Sequence, residues 1–179
     1  VLNMPALPAS FARSLAAALI VAALLPAPAY AGAGPFALDN ISVEVVDGDT
    51  LRLVGSRQLI RLFGVDACEF DQEAWTQEGQ AVNCSSPAVK ALRLWTSHRR
   101  VSCLIRSTDR YGRLLGVCQS DQIADFSAEL IARGLALAYR YRARAVSAEY
   151  EQLEQQAKSE DRGLWELAFD EPWIHRRQK

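Results

Sequence analysis

An α+β fold is predicted by three features of the sequence: short β-branched runs fill residues 41–65, a helical pattern follows the third of them, and further helical patterns close the chain. Five short strands with helices so placed fit a small Greek-key β-barrel of the OB type carrying three α-helices, an architecture whose faces and loops often hold oligonucleotides. A fold by itself carries no function, so the chemistry has to come from particular side chains.

Residues 1–31 read as an export signal. Arg13 supplies the positive start, Leu15 to Leu25 an unbroken apolar run, and Ala29-Tyr30-Ala31 a small-x-small cleavage site. That run falls short of the roughly 20 residues a bilayer-spanning helix needs, which disfavours a membrane anchor. The expectation is a periplasmic or secreted monomer of residues 32–179 with no stable membrane association after cleavage.

Residues 32–40 form a Gly/Ala/Pro-rich lead. Ile41 to Val46 is the first strand, Asp47-Gly48 a turn, and Leu51 to Val54 and Leu59 to Val65 the next two strands, joined at Gly55-Ser56. Residues 67–85 read as a polar, irregular connection ending in Ser85-Ser86-Pro87, a helix N-cap followed by the residue best tolerated in the first turn. The first helix, residues 87–98, aligns Val89, Leu92 and Trp95 on one face. Two strands, 101–106 and 113–119, flank the turn 107–112. Asp125 caps a second helix that stops at Gly134, and a third helix, 147–162, buries Tyr150, Leu153 and Ala157 before Gly163. Leu164 and Trp165 are expected to fold back on the core. The barrel domain thus covers 41–166 and is followed by a C-terminal tail, 167–179, whose basic end His175 to Lys179 is expected to be mobile.

The full chain has a formal net charge of −1, and removing residues 1–31 takes away only Arg13, leaving −2. That balance excludes a protein that coats nucleic acid through an overall basic field. A polyanion has to be held by local arginines such as Arg61, Arg110, Arg113, Arg140 and Arg142. The four cysteines, Cys68, Cys84, Cys103 and Cys118, contain no C-x-x-C pair, and export favours two disulfides over zinc or four free thiols. Centring the 107–112 turn between Arg110 and Tyr111 sets Cys103 opposite Cys118, which leaves Cys68 for Cys84.

Chemistry concentrates between residues 45 and 69. Arg61, on a strand face shared with Leu59, Phe63 and Val65 if alternation persists, is costly to bury without an anion. Asp49 and Asp66 are hard oxygen donors suited to Ca²⁺. Taken singly, Asp47-Gly48 is a common hairpin turn and Arg61 with Asp66 an ordinary ion pair.

Together the segments Val45-Val46-Asp47-Gly48-Asp49-Thr50, Arg61-Leu62-Phe63-Gly64-Val65-Asp66-Ala67-Cys68-Glu69 and Asp109-Arg110-Tyr111-Gly112-Arg113 resemble the staphylococcal nuclease family. Gly134-Leu135-Ala136 and Gly163-Leu164-Trp165 extend the likeness. The resemblance implies that Asp49, Asp66 and the carbonyl of Ala67 hold Ca²⁺, that Glu69 is the general base, and that Arg61 and Arg113 grip the phosphate. It further implies that Arg110 and Tyr111 contact the nucleotide phosphate and that Tyr139 or Tyr141 stacks on the base. Ala67 and Cys68 depart from the threonine and proline usual in the family; a cross-link through Cys68 would replace the lost stiffness. The activity so implied is hydrolysis of DNA and RNA with little sequence preference, leaving 3′-phosphates. A non-catalytic OB module that binds single strands and a disulfide-stapled interaction domain are the competing readings.

Overall fold

A computed structural model describes residues 34–179; the export signal expected at 1–31 lies outside the described residues. In chain order the first elements are β1 (Phe36–Ile41), β2 (Val43–Val45), β3 (Thr50–Leu53), β4 (Leu59–Leu62), β5 (Val65–Asp66), β6 (Glu73–Trp75), β7 (Ala81–Asn83) and α1 (Ser86–Thr96). They are followed by β8 (Val101–Thr108), β9 (Leu114–Gln119), α2 (Phe126–Ala132), β10 (Leu137–Ala138), β11 (Arg140–Tyr141), β12 (Arg144–Ala145) and α3 (Ala148–Ser159). A 3₁₀ turn (Gly163–Glu166) and α4 (Pro172–His175) complete the chain.

The main sheet has the order β1-β8-β9-β4-β3-β2, antiparallel except for the parallel pair β4–β9. Its two outer members are halves of one bent strand: Ile41 pairs with Val101 on β8, and Val43 pairs with Leu53 on β3. The sheet therefore closes through Ser42 as a five-stranded barrel without a free edge, which is the expected OB topology. The bend falls where Asn40 takes a φ of 53° and the β1–β8 register shifts.

Three expectations about the strands and their connections change. The lead contains β1, a strand whose sequence FALDNI has little intrinsic β-character and which forms because β8 offers it a pairing edge. The third strand ends at Leu62 instead of running to residue 65, because Gly64, with φ 74°, turns the chain and β5 pairs with β10 instead. Ile60 and Leu62 consequently face the core, while Leu59 and Arg61 lie on the half-buried opposite face. The connection 67–85 contains the hairpin β6–β7, tied by Cys68–Cys84 and bridged at Trp75 to Ala168.

Leu51, Ile60, Leu62, Ile105, Phe126 and Leu130 dominate the barrel core, and a second cluster gathers Cys68, Ala74, Cys84, Leu137 and Leu164. Asp125 caps α2 by accepting from the backbone N–H of Ser127 at 2.9 Å and of Ala128 at 3.1 Å. Gly134 ends the following turn with φ 68°; a Cβ there would sit 2.0 Å from the Arg162 carbonyl oxygen. On α3, Tyr150 and Ala157 are buried as expected. Their third partner is Glu154, not the partly buried Leu153, because Glu154 is neutralised by Arg140 and accepts from the Ala138 N–H.

The segment expected to be a free tail is packed. Phe169 and Trp173 join the second cluster, Ala168 and Trp75 exchange backbone bonds at 2.8 and 2.9 Å, and α4 lies beside the loop that carries Glu69. Among the described residues, no helix is long and apolar enough to cross a membrane.

Candidate active site

The turn between β2 and β3 brings the first carboxylate to the barrel. Asp47 Oδ1 accepts from the Asp49 N–H at 3.0 Å, and the Asp49 carbonyl accepts from the Leu62 N–H at 2.8 Å. Gly48 allows the turn to dock: a Cβ there would lie 2.7 Å from the Ala67 Cβ and 3.1 Å from that of Ala88 on α1. Glycine is required here by close approach, not by the turn conformation.

Asp49 and Asp66 are both buried, at 3 and 1 % exposure, and Arg61 joins them. Its Nη1 pairs with Asp49 Oδ1 and its Nη2 donates to Asp66 Oδ1 at 3.1 Å. Asp49 also accepts from the Ala67 N–H at 2.9 Å and from the Thr50 hydroxyl at 3.1 Å. Burial pushes the Asp49 carboxyl up to about 7, against the pull of Arg61. Burial also opposes the charge on Arg61, but Asp49 and then Asp66 raise its pKa above the ordinary guanidinium value.

Glu69 follows on the loop that leaves β5. Its N–H donates to Gln72 Oε1 at 3.1 Å, and Cys68 beside it is bonded to Cys84, so a buried amide and a disulfide fix the backbone of this loop. The second disulfide, Cys103–Cys118, joins directly opposed residues of β8 and β9. Both pairings match the expectation from the hairpin register.

The β8–β9 turn presents Arg110, Tyr111 and Arg113. The register sets Arg61 beside Leu115, two residues past Arg113, so strand alternation puts both arginines on one face, roughly 7 Å apart along the strands. Asp109 organises the turn: Oδ1 accepts from the N–H groups of Tyr111 at 2.9 Å and Arg113 at 3.0 Å, and Oδ2 accepts from Arg113 Nε at 2.8 Å. Burial works against the Asp109 charge, yet these bonds from Arg113 and Tyr111 hold its carboxyl below the usual range. A cleft of about 380 Å³ runs between residues 56–59 and 111–113.

Tyr139 and Tyr141 follow β10, the strand paired with β5, with Tyr139 37 % and Tyr141 60 % exposed. Arg142 lies over the Tyr141 ring at 5.3 Å. Of the arginines named from the sequence, Arg140 serves the fold: it pairs with Glu154 and donates to the Ala138 carbonyl at 2.8 Å.

Three residues of the site were not singled out from the sequence. Asp109 was legible as the polar start of a hairpin loop but not as the anchor of Arg113. Gln72 had no sequence signal. Arg176, from the supposed tail, donates to Asp66 Oδ1 and Oδ2 at 3.0 and 2.8 Å and to Glu69 Oε1 at 2.8 Å.

Among the described residues, no three His, Cys, Asp or Glu side chains form a ready cation cage. Asp49 and Asp66 nevertheless fit a hard divalent cation. They are oxygen donors, buried, and already converge on one positive group, leaving further positions for backbone carbonyl and water.

A sequence model described as staphylococcal nuclease homologue matches residues 59–167. The chain is 32 % identical to a micrococcal nuclease of Shigella flexneri over 92 % of its own length and 91 % of that protein. It is 31 % identical to the protein ParB of Escherichia coli, covering 94 and 93 % of the two chains. An uncharacterised endonuclease of Escherichia coli O157:H7 is 31 % identical over 76 % of this chain and 84 % of its own.

Proposed function

The chain belongs to the staphylococcal nuclease homologue family, and on that premise we propose that it is an exported, calcium-dependent nuclease hydrolysing DNA and RNA with little sequence preference. The observation that carries this reading is Arg61 bonded to both buried aspartates, with Glu69 three residues beyond Asp66 on one cross-linked loop. Two carboxylates for a cation, a carboxylate base and a guanidinium are the groups that phosphodiester hydrolysis needs together.

In this reading Asp49, Asp66 and the Ala67 carbonyl would hold the cation, which would supply positive charge to offset that of the phosphate. Glu69 takes the proton of the attacking water. The water oxygen bonds to phosphorus, the bond to the 5′ oxygen breaks, that oxygen takes a proton from solvent and leaves as a 5′-hydroxyl, and the 3′ side keeps the phosphate. Arg61 and Arg113 pair with the equatorial oxygens, where two-pronged donation matches the charge that builds in the transition state. Asp109 holds Arg113 through Nε, and no hydrogen bond among the described residues engages its two terminal nitrogens. Arg110 and Tyr111, beside the 380 Å³ cleft, serve the neighbouring phosphate, and Tyr139 or Tyr141 stacks on a base. The two disulfides support an oxidising compartment, periplasmic or extracellular, and the protein acts as a monomer.

The test is digestion of plasmid DNA with calcium or with a chelator. Cleavage with calcium that stops on chelation supports the reading. Nucleic-acid binding without cleavage points to the non-catalytic OB module.

A further inference from the structure

The chain delivers a second guanidinium to its own reaction carboxylates from a site more than a hundred residues away. Both oxygens of Asp66 accept from Arg176, the same Oδ1 also accepts from Arg61, and one oxygen of Glu69 accepts from Arg176. The group placed as a cation ligand and the group placed as the base are thus tied to one side chain.

The segment carrying Arg176 is seated on both sides of it. Upstream, Gln72 Nε2 donates to the Asp170 carbonyl at 2.5 Å, and Trp173 packs in the second apolar cluster. Immediately upstream, the His175 ring lies 3.4 Å from Asp71, and downstream Lys179 Nζ donates to the same carboxylate at 2.6 Å. Gln72 and Asp71 belong to the loop that carries Glu69, so the tail is anchored on the segment whose chemistry it covers.

We infer that Arg176 is a displaceable built-in cation that competes with the divalent ion for Asp66 and restrains Glu69 until that ion binds. This rests on the metal-dependent reading proposed above. Charge makes the exchange favourable: Asp49, Asp66 and Glu69 against Arg61 and Arg176 sum to a formal −1, and a divalent cation in place of Arg176 brings the cluster to neutrality. Exposure selects which arginine leaves. Arg176 is 39 % exposed and can return to water at small cost, whereas Arg61, at 17 %, is held between two buried aspartates. A guanidinium has no vacant coordination position to accept a lone pair from water, so while it occupies Asp66 and Glu69 it holds the site without supplying Lewis-acid chemistry. Linkage then requires that cation binding loosen the tail by the factor by which the tail weakens cation binding.

Calcium binding is measured by titration calorimetry on wild type, Arg176→Gln and Asp49→Asn, with hydrogen exchange of residues 167–179 followed in wild type with and without calcium. The expected result is calcium affinity about five-fold or more higher in Arg176→Gln, and faster exchange across 172–178 in wild type when calcium is added. Equal or weaker affinity in Arg176→Gln, with exchange unchanged, overturns the displaceable cation while calcium binding that Asp49→Asn abolishes keeps the metal reading. Weaker nucleic-acid binding by Arg176→Gln, measured beside the calorimetry, without tighter calcium binding would make Arg176 a phosphate ligand and also overturn the inference. Absence of calcium binding in wild type and Arg176→Gln overturns both.

Discussion

Asp109 holds Arg113 by a 2.8 Å bond from Nε to Oδ2, and the same carboxylate accepts the backbone N–H groups of Tyr111 and Arg113. One side chain therefore shapes the turn and aims the arginine that the turn presents. Asp109→Asn is expected to keep the fold but lower kcat/KM by roughly ten-fold, because a positioned donor that can swing loses part of its orientational advantage. The folded pKa of Asp109 is depressed, so its contribution to stability is full above the unfolded value of about 4 and is lost as pH falls through the folded value. Urea unfolding should show the gap between wild type and Asp109→Asn at pH 7 narrowing below about pH 4; a gap that widens in acid would contradict the assignment.

Arg61→Lys and Arg113→Lys are each expected to be severely impaired, since an ammonium cannot reproduce a planar, two-pronged grip. Arg61→Lys should also lower stability, because Arg61 alone bridges Asp49 and Asp66, both buried, whereas Arg113→Lys loses mainly a more exposed, partly buried pair with Asp109. Steady-state kinetics beside thermal melts separate the two, and full activity in both variants would make the arginines structural.

Gly48→Ala places a methyl where the Ala67 Cβ stands 2.7 Å away. Overpacking of this kind costs about 1–3 kcal/mol. Here the yielding element carries Asp49 or Ala67, so turnover should fall along with the melting temperature. A variant as stable and active as wild type would show that the turn does not dock as described.

The two disulfides offer a matched comparison, closing sequence separations of 16 and 15 residues. Chain-entropy reasoning gives each about 3 kcal/mol. Cys68→Ser with Cys84→Ser is expected to lose activity beyond that loss of stability, because Cys68 adjoins Glu69, while Cys103→Ser with Cys118→Ser loses stability alone. Activity assays well below both melting temperatures check this; equal residual activities would remove the role of the cross-link in holding the base.

What could be read from the sequence divides along the range of the interactions involved. The Asp125 and Gly134 boundaries of α2 were legible because their capping bonds span only a few residues. The Cys103–Cys118 opposition followed from the centre of a single turn. The end of β4 was hidden because residues 59–65, LIRLFGV, are apolar apart from Arg61 and Gly64 and read as one strand, and only the pairing of β5 with β10 shows the chain leaving the sheet at Gly64. Glu154 on the buried face of α3 was unpredictable without Arg140, fourteen residues earlier. Arg176 lies 110 residues from Asp66, and its tail carries no pattern beyond excess basic charge. Asp49, Arg61, Asp66 and Glu69 were singled out because their segments carry local motifs, and the structure joins Asp49 and Asp66 through Arg61 and ties Glu69 to Asp66 through Arg176.

The most direct measurement is the single-turnover rate of Glu69→Gln on DNA with saturating calcium, beside wild type, in protein whose two disulfides are intact. Removing the group that takes the proton from water, while preserving its size and hydrogen-bonding reach, should lower the rate by roughly 10² to 10⁴ with nucleotide binding and melting temperature retained. Cleavage by Glu69→Gln at close to the wild-type rate would contradict the account.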